Sequence, residues 1–172
     1  MYQMDRYRAE IDVADYVRSF VDVPRFLECC RVCPNYETRW TCPPYSFDPL
    51  TVWNAYRRLR LIGCKITPTE GETDLIPALM QVKEELFREL SRLEQEVPGS
   101  ILLSAGSCDF CGACARVRGE ACVHPERLRY SLESLGANVS KTAEELLGLP
   151  LQWYAEGKRP DYLALVCGLL EK

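Results

Sequence analysis

The spacing of the cysteines constrains this chain more than any other feature. Eight of its ten cysteines fall into two short segments, residues 29–42 and residues 108–122. In the second segment three cysteines are separated by two residues each, and a fourth follows after seven more: Cys108, Cys111, Cys114 and Cys122. Thiolates at this spacing can surround three corners of a cubane cluster, which a more distant cysteine completes. The second segment therefore predicts a [4Fe-4S] site.

The first segment is less regular and offers fewer usable ligands. It contains the adjacent pair Cys29 and Cys30, followed by Cys33 and Cys42. Because adjacent cysteines rarely bind one metal together, we take Cys30, Cys33 and Cys42 as ligands and keep Cys29 as the alternative. The two segments then supply seven ligands, whereas two cubanes with full cysteine ligation need about eight.

The missing ligand separates two functional predictions. The other cysteines, Cys64 and Cys167, lie in apolar runs, where a free cysteine usually packs as a small hydrophobic residue. Unless one of them or Cys29 completes the set, one cluster keeps an iron without a protein ligand. Such an iron is a Lewis acid that can bind a substrate. We expect the vacancy in the first segment, or in the second if Cys122 ligates the other cluster, as happens in ferredoxins.

Composition limits the alternatives. Zinc is the other metal to consider, although structural zinc sites more often use two separated C-x2-C pairs. The first residues lack the apolar core of a signal peptide, so we expect a cytoplasmic protein whose cysteines bind metal instead of forming disulfides. The net charge of -4 argues against nucleic-acid binding, and no apolar run is long enough to span a membrane.

Several other residues lie close to the cysteines in sequence. Among the cysteines of the first segment stand three aromatic residues that either pack in the core or shield a cluster from solvent: Tyr36, Trp40 and Tyr45. Five arginines could tune an anionic cluster or receive an anionic substrate, or simply be solvated: Arg39, Arg116, Arg118, Arg127 and Arg129. We expect His124 near a cluster or at the surface, whereas Ser131 and Glu133 are either site residues or surface residues.

Hydrophobic periodicity predicts an α/β or α+β fold in a single domain, residues 1–172. The clearest helix runs from Asp74 to Val97, and the apolar runs 59–67 and 100–104 beside it predict strands. We expect these three elements to form a right-handed parallel crossover, and the run 162–170 to form a central strand. Shorter helices are expected at 126–135, at 140–147, after Pro49 and before Cys29. The result is a small, partly parallel sheet with helices that carries two cysteine-rich metal-cluster loops.

Four sequence blocks together resemble a known family. They are C-R-V-C-P-N-Y-E-T-R-W-T-C-P-P at 30–44, G-S-C-D-F-C-G-A-C at 106–114, C-V-H-P at 122–125 and Y-S-L-E-S-L-G at 130–136. This combination resembles a prokaryotic family described as predicted metal-binding proteins, a cysteine-rich domain of unknown function. The resemblance covers nearly the whole chain, implies cysteine-bound metal and favours Cys30 over Cys29, but it names no substrate.

Three functions are compatible with these patterns. The first is an iron–sulfur protein with two [4Fe-4S] clusters that acts in electron transfer or as a redox accessory protein. The second is an enzyme whose three-cysteine cluster binds a small anionic or thiol substrate, in dehydration or sulfur removal. The third is a zinc-binding structural module. No flavin, nicotinamide or nucleotide motif is visible, so any electrons would come from a separate partner protein, and the sequence assigns no catalytic residue.

Overall fold

A four-stranded sheet organises the chain. The computed structural model describes residues 1–69, 74–154 and 159–172. The strands are β1 (Tyr2–Asp12), β2 (Arg58–Pro68), β3 (Ile101–Leu103) and β4 (Leu163–Glu171), in the spatial order β1-β2-β4-β3. Each neighbouring pair is antiparallel, with Tyr2 opposite Pro68 and Ile62 opposite Cys167. The predicted mixed α/β class is therefore confirmed.

Five α-helices are seen in the described residues: α1 (Val13–Phe20), α2 (Val23–Arg31), α3 (Pro49–Trp53), α4 (Ile76–Glu96) and α5 (Val139–Leu147). Local sequence explains several of their ends. The carboxylate of Asp48 accepts a hydrogen bond from the Leu50 amide (2.9 Å) at the start of α3. The side chain of Asn138 does the same for Lys141 (3.0 Å) in α5, and Gly148, at φ 62°, ends that helix.

The two faces of the sheet are covered by different helices. Successive side chains of a strand point to opposite faces, so Leu59 and Leu61 of β2 face one core and Ile62 and Cys64 face the other. Helix α4 covers the second face with three fully buried residues four positions apart: Val82, Leu86 and Leu90. The first face is covered by the other core helices, which contribute buried side chains that include Tyr16, Trp53 and Leu147. The layers are therefore α4, the sheet, and a group of shorter helices.

The predicted parallel pairing is wrong, although its three elements exist. The helix at 74–97 is α4, and the strands at 59–67 and 100–104 are β2 and β3. Strand β4, which matches the run predicted at 162–170, lies between β2 and β3 and is antiparallel to both. Strands β2 and β3 therefore run in the same direction without touching. Strand β4 is apolar and largely buried on both faces. It therefore occupies the interior position of the sheet between β2 and β3.

The predicted helix at 126–135 is also wrong. Two short 3₁₀ turns, Pro125–Arg127 and Glu133–Leu135, stand there instead. Between them the chain is extended, and the Ser104 amide donates a hydrogen bond to the carbonyl oxygen of Tyr130 (2.8 Å). The hydroxyls of Ser131 and Ser134 bond to each other's backbone amides (3.3 and 3.0 Å), which replaces helical hydrogen bonding locally.

Strand β1 was not predicted from the sequence. Its side chains alternate between more and less exposed positions, but arginine and acidic residues occupy many of them. The remaining predicted helices are present: α1 and α2 around the segment before Cys29, α3 after Pro49, and α5 at 140–147. In the described residues, no helix has both the length and the apolar character needed to cross a membrane.

Candidate metal centre

Three cysteines of the first segment come together at one cleft. Cys30 lies in the last turn of α2, and the Cys33 amide donates a hydrogen bond to its carbonyl oxygen (3.0 Å). Further turns reverse the chain, and the Cys42 amide bonds to the Arg39 carbonyl (3.0 Å). Cys30, Cys33 and Cys42 all line the same cleft, which we call the three-cysteine site.

The thiols of this site influence one another. Burial, with smaller effects of the neighbouring thiols of Cys42 and Cys33, raises the pKa of Cys30 to about 11. Burial likewise raises the pKa of Cys42, which is 9% exposed. Such thiols keep their protons in the absence of a cation, whereas a bound metal displaces those protons. The grouping of three thiols at one cleft, and not their pKa values, therefore marks this as a candidate metal-binding site.

The cleft beside these thiols is large. It encloses about 470 Å³, within the range of about 300–1,000 Å³ that is typical of small-molecule sites. Besides the cysteines, polar side chains line one part of it, among them Asn35, Lys83 and Glu133, and apolar side chains line the rest. The three thiols thus face a space that could admit a small molecule.

Glu133 is the acidic residue whose charge acts on the thiols of the three-cysteine site. It raises the pKa of both Cys30 and Cys42, in each case as a smaller effect than burial. Its own pKa is raised by burial, against the opposing effects of its own backbone amide, of the Ser131 side chain and of the Lys83 ammonium. Sequence analysis left Glu133 undecided, and the structure brings it to the three-cysteine site.

Lys83 and Asp109 were missed by the sequence analysis. The ammonium of Lys83, on α4, donates hydrogen bonds to the Ser107 carbonyl oxygen (2.6 Å) and to the Asp109 carboxylate. Both residues line the cleft of the three-cysteine site. No pattern in the sequence distinguishes Lys83 from the other charged residues of a long amphipathic helix, so only the fold reveals its position.

The four cysteines of the second segment line a different and smaller cavity. Cys108, Cys111, Cys114 and Cys122 enclose about 20 Å³, and we call this the four-cysteine site. Burial raises the pKa of Cys108, against a hydrogen bond to its thiol from the Phe110 amide. The indole of Trp40 and the imidazole of His124 complete the lining. The four-cysteine site thus encloses little free space, whereas the three-cysteine site borders a large cleft.

Arg116, which lies between Cys114 and Cys122 in the second segment, holds the first group of cysteines in place. Its guanidinium donates hydrogen bonds to the carbonyl oxygens of Arg39 (2.8 Å), Cys42 (2.5 Å) and Pro44 (2.7 Å). The same guanidinium lies 5.1 Å from the ring centroid of Trp40. A single side chain thus fixes the segment that carries the last thiol of the three-cysteine site.

Arg39 makes the reciprocal contacts. Its guanidinium donates a hydrogen bond to the Cys108 carbonyl oxygen (2.7 Å) and lies 3.7 Å from the Asp109 carboxylate. The Cys108 amide in turn donates to the hydroxyl of Thr41 (3.2 Å). Because Thr41 immediately precedes Cys42, one hydrogen bond and one peptide unit connect a cysteine of each site. The two groups of cysteines are therefore held next to each other.

The aromatic residues of the first segment have three different positions. Trp40 lines the four-cysteine site, and its indole N–H donates to the Glu120 carbonyl oxygen (3.0 Å). Tyr36 lines the three-cysteine site. Tyr45 packs between other rings, 4.8 Å from Phe47 and 5.3 Å from Tyr130. The shielding role therefore fits Trp40 and Tyr36, whereas Tyr45 belongs to the core.

The remaining arginines lie away from the three-cysteine cleft, and His124 lies at the four-cysteine site. Arg118 pairs with Glu120 (2.7 Å) on the surface, and the imidazole of His124 lies 3.7 Å from Glu126. Arg127 stacks over the ring of Phe110 at 3.7 Å. Arg129 forms a two-armed ion pair with the carboxylate of Glu94 (2.9 and 2.8 Å). None of these four residues lines the cleft of the three-cysteine site within the described part of the chain.

Three cysteines line neither cysteine site. Cys29 is exposed at the end of α2, whereas Cys64 and Cys167 are 0% and 1% exposed in the core beneath α4. The Cys167 thiol donates weakly to the Ile62 carbonyl oxygen (3.6 Å). Burial raises the pKa of both core thiols, which disfavours the thiolate form that binds metal.

The donor set tests which metal group these residues fit. Both sites offer thiols, which favour zinc, copper(I) and iron–sulfur clusters over hard cations. A mononuclear zinc site would hold its thiolates about 2.3 Å from one ion. Across residues 1–69, 74–154 and 159–172, no three cysteine, histidine or acidic side chains converge in that way. A polynuclear cluster does not require that convergence, because there each thiolate binds its own iron.

Comparison with known proteins gives one match. No curated protein and no solved structure matches the chain significantly. A family model described as "Predicted metal-binding protein (DUF2284)" matches residues 14–170, which include every cysteine. The chain therefore belongs to this family of predicted metal-binding proteins.

Proposed function

We propose that the chain is an iron–sulfur protein with two [4Fe-4S] clusters, of which one is closed and one is open to a substrate. Cys108, Cys111, Cys114 and Cys122 would hold the closed cluster, and Cys30, Cys33 and Cys42 the open one. When bound, such a pair supplies one-electron chemistry together with a Lewis-acidic iron that lacks a protein ligand.

The unequal access of the two sites carries this proposal. Four thiols surround a cavity of about 20 Å³, whereas three thiols face a cleft of about 470 Å³. A site meant only to pass electrons needs no room beside it, but a site that binds a substrate does. Neither Cys29 nor a core cysteine lines the cleft, although the Cys29 thiol lies close enough to Cys30 to raise its pKa slightly.

The contacts between the sites suit electron transfer between them. Thr41 links the backbone of Cys42 to the amide of Cys108 through its hydroxyl (3.2 Å). Arg39 and Arg116 hold the same interface from opposite sides with charge-assisted hydrogen bonds. Trp40 lines the four-cysteine site. These residues keep two redox groups at a fixed separation, and electrons would enter from a separate redox partner protein.

Glu133 and Lys83 are the groups of the cleft that can accept or donate a proton. The Glu133 residue is half-buried in the lining of the cleft, and hydrogen bonds to its carboxylate from the Ser131 side chain and from backbone amides oppose the rise in its pKa. A carboxyl placed in this way can exchange a proton with a hydroxyl or thiol group of a substrate. The ammonium of Lys83 orients Asp109 and the backbone of Ser107 at the edge of the same space. Dehydration and sulfur removal are the reaction classes that suit this arrangement.

Metal analysis under anaerobic conditions tests the proposal. We expect about eight irons and eight sulfides per chain, and the electron paramagnetic resonance spectrum of the reduced protein should contain two cluster signals. Cyanide should change only the signal that Cys42→Ser removes, and Cys111→Ser should remove the other. Cys29→Ser is the matched control and should leave both signals intact.

Two results would contradict the proposal. Colourless protein that contains zinc without iron and sulfide would favour a zinc-binding module and reject both clusters. Two cluster signals that are both insensitive to cyanide would reject the open iron and leave a protein that serves electron transfer alone.

A further inference from the structure

Strand β1 leaves one long edge of the sheet open. Within the described residues it pairs with β2 over its whole length, and no strand pairs with its other side. An edge strand directs half of its backbone N–H and C=O groups away from the sheet, where a further strand can bind them. At 11 residues β1 is as long as β2, whereas β3 at the opposite edge has three. The sheet can therefore be extended mainly at β1.

The odd-numbered residues in the second half of β1 form an apolar row. Tyr7, Ala9 and Ile11 pack against the first core, and each is only partly buried there. A further strand laid along the edge would cover the side of this row that faces solvent, because side chains directly opposite each other on neighbouring strands lie about 5 Å apart. The row therefore favours a partner strand that presents apolar side chains at the same spacing.

The even-numbered residues form a charged row on the opposite face, which α4 covers. Arg6 pairs with Glu89 of α4 (2.6 Å), so this end of the row is fixed. The side chain of Arg8 is 70% exposed and lies 3.9 Å from Glu89. The side chain of Glu10 is 56% exposed and lies 3.6 Å from Arg58. Both charges therefore remain accessible to another molecule at the edge.

The order of these charges makes β1 complementary to itself. Two copies related by a twofold axis pair antiparallel, and each residue then lies opposite a residue of the same row. An axis at Arg8 or at Glu10 would place that residue opposite its own copy. An axis at Ala9 instead places Arg8 opposite Glu10, and Arg6 opposite Asp12. Directly opposed charges of opposite sign stabilise a sheet, whereas like charges destabilise it.

We infer that β1 binds β1 of a second copy of this chain, antiparallel and about a twofold axis at Ala9, so that the two sheets become one. On the face that α4 covers, Arg8 of each copy pairs with Glu10 of the other. On the opposite face, Tyr7 lies opposite Ile11, which covers the partly buried apolar row. No cysteine belongs to β1, so the inference does not depend on which metal the chain binds.

Charge reversal tests the pairing. Size-exclusion chromatography with light scattering, applied to the whole and anaerobically purified chain, should give twice the mass of one chain. Arg8→Glu should weaken dimerisation at least about tenfold, because the twofold axis turns two attractive pairs into two repulsive ones. Glu10→Arg should weaken it to a similar extent for the same reason.

Mixing the two variants separates a lost contact from a misfolded chain. In a dimer of one Arg8→Glu chain and one Glu10→Arg chain, every opposed pair again combines a carboxylate with a guanidinium. The equimolar mixture should therefore dimerise within about threefold of the affinity of the unsubstituted protein. Arg118→Glu is the matched control, since Arg118 also pairs with a glutamate, is 52% exposed and lies outside β1, in the 3₁₀ turn Ala115–Arg118. This variant should remain a dimer.

Hydrogen exchange locates the contact independently of any substitution. The amides of residues 6–12 should exchange at least about tenfold more slowly in the dimer than in the same protein diluted until it is monomeric. A chain that stays monomeric up to its solubility limit would overturn the inference. So would a dimer that Arg8→Glu leaves intact, a dimer that does not protect residues 6–12, or a mixture of the two variants that stays monomeric.

Discussion

Replacing Arg116 by alanine should destabilise the protein strongly for a surface-lying arginine. The guanidinium donates three hydrogen bonds, of 2.8, 2.5 and 2.7 Å, to carbonyl oxygens of the first cysteine segment. A hydrogen bond to a charged group contributes about 1.5 kcal/mol at the lower end of measured values. Water replaces part of this, because the side chain is half-buried, so we estimate a total loss of about 3 kcal/mol.

Thermal unfolding of the anaerobically purified protein measures this loss. For a chain of this length, about 1 kcal/mol shifts the midpoint by about 2–4 °C, so Arg116→Ala should unfold about 6–12 °C lower. Scans at a single fixed rate make the variants comparable, because loss of metal makes unfolding irreversible. The unfolding midpoint of Arg116→Lys should lie between those of the unsubstituted protein and of Arg116→Ala, since a lysine has no planar group that can reach three carbonyls.

Arg118→Ala is the matched control for this experiment. Arg118 lies two residues further on and pairs on the surface with Glu120 (2.7 Å), at 52% exposure. An exposed ion pair of this kind contributes about 0–1 kcal/mol, so its loss should shift the midpoint by no more than about 4 °C. A midpoint for Arg116→Ala within about 2 °C of that for Arg118→Ala would refute the reasoning.

Two further predictions concern the backbone and the thiols. Gly136 has φ 85°, and a Cβ there would lie 2.8 Å from Val23, so Gly136→Ala should lower the free energy of unfolding in urea by about 3 kcal/mol. Gly148 has φ 62° and open space around it, so Gly148→Ala should lower this free energy by about 1 kcal/mol. Iodoacetamide should alkylate Cys29 in the metal-bound protein, and Cys64 and Cys167 only after denaturation, as mass spectrometry can show; early labelling of a core thiol would contradict their assigned burial.

Local patterns in the sequence identified most elements but not their arrangement. The apolar residues of α4 recur every three or four positions, and the runs that became β2 and β4 are continuous, so each element could be located. Strand order depends on pairing between distant residues, such as Ile62 with Cys167, and no local pattern carries that information. Strand β1 went undetected because, as an edge strand, it exposes charged side chains along much of its length.

The cysteine groups followed from spacing, and the rest of the cleft did not. Cysteines that are separated by only two residues cannot lie far apart, so the grouping of Cys108, Cys111 and Cys114 was predictable. Lys83 and Glu133 reach the three-cysteine site from α4 and from a 3₁₀ turn, each far from Cys30 in sequence. Their convergence is a property of the tertiary fold, which sequence spacing does not encode.

The position of β4 determines when, during synthesis, the two cysteine sites can reach their final arrangement. Strand β3, which directly precedes the second group of cysteines, joins the described sheet through β4 at its edge. During synthesis the ribosome releases both groups of cysteines well before residues 163–171 emerge. The segment with Cys108 to Cys122 therefore has no strand to anchor it until translation has passed β4. The two cysteine sites can therefore reach their final arrangement only after β4 has emerged and paired with β3.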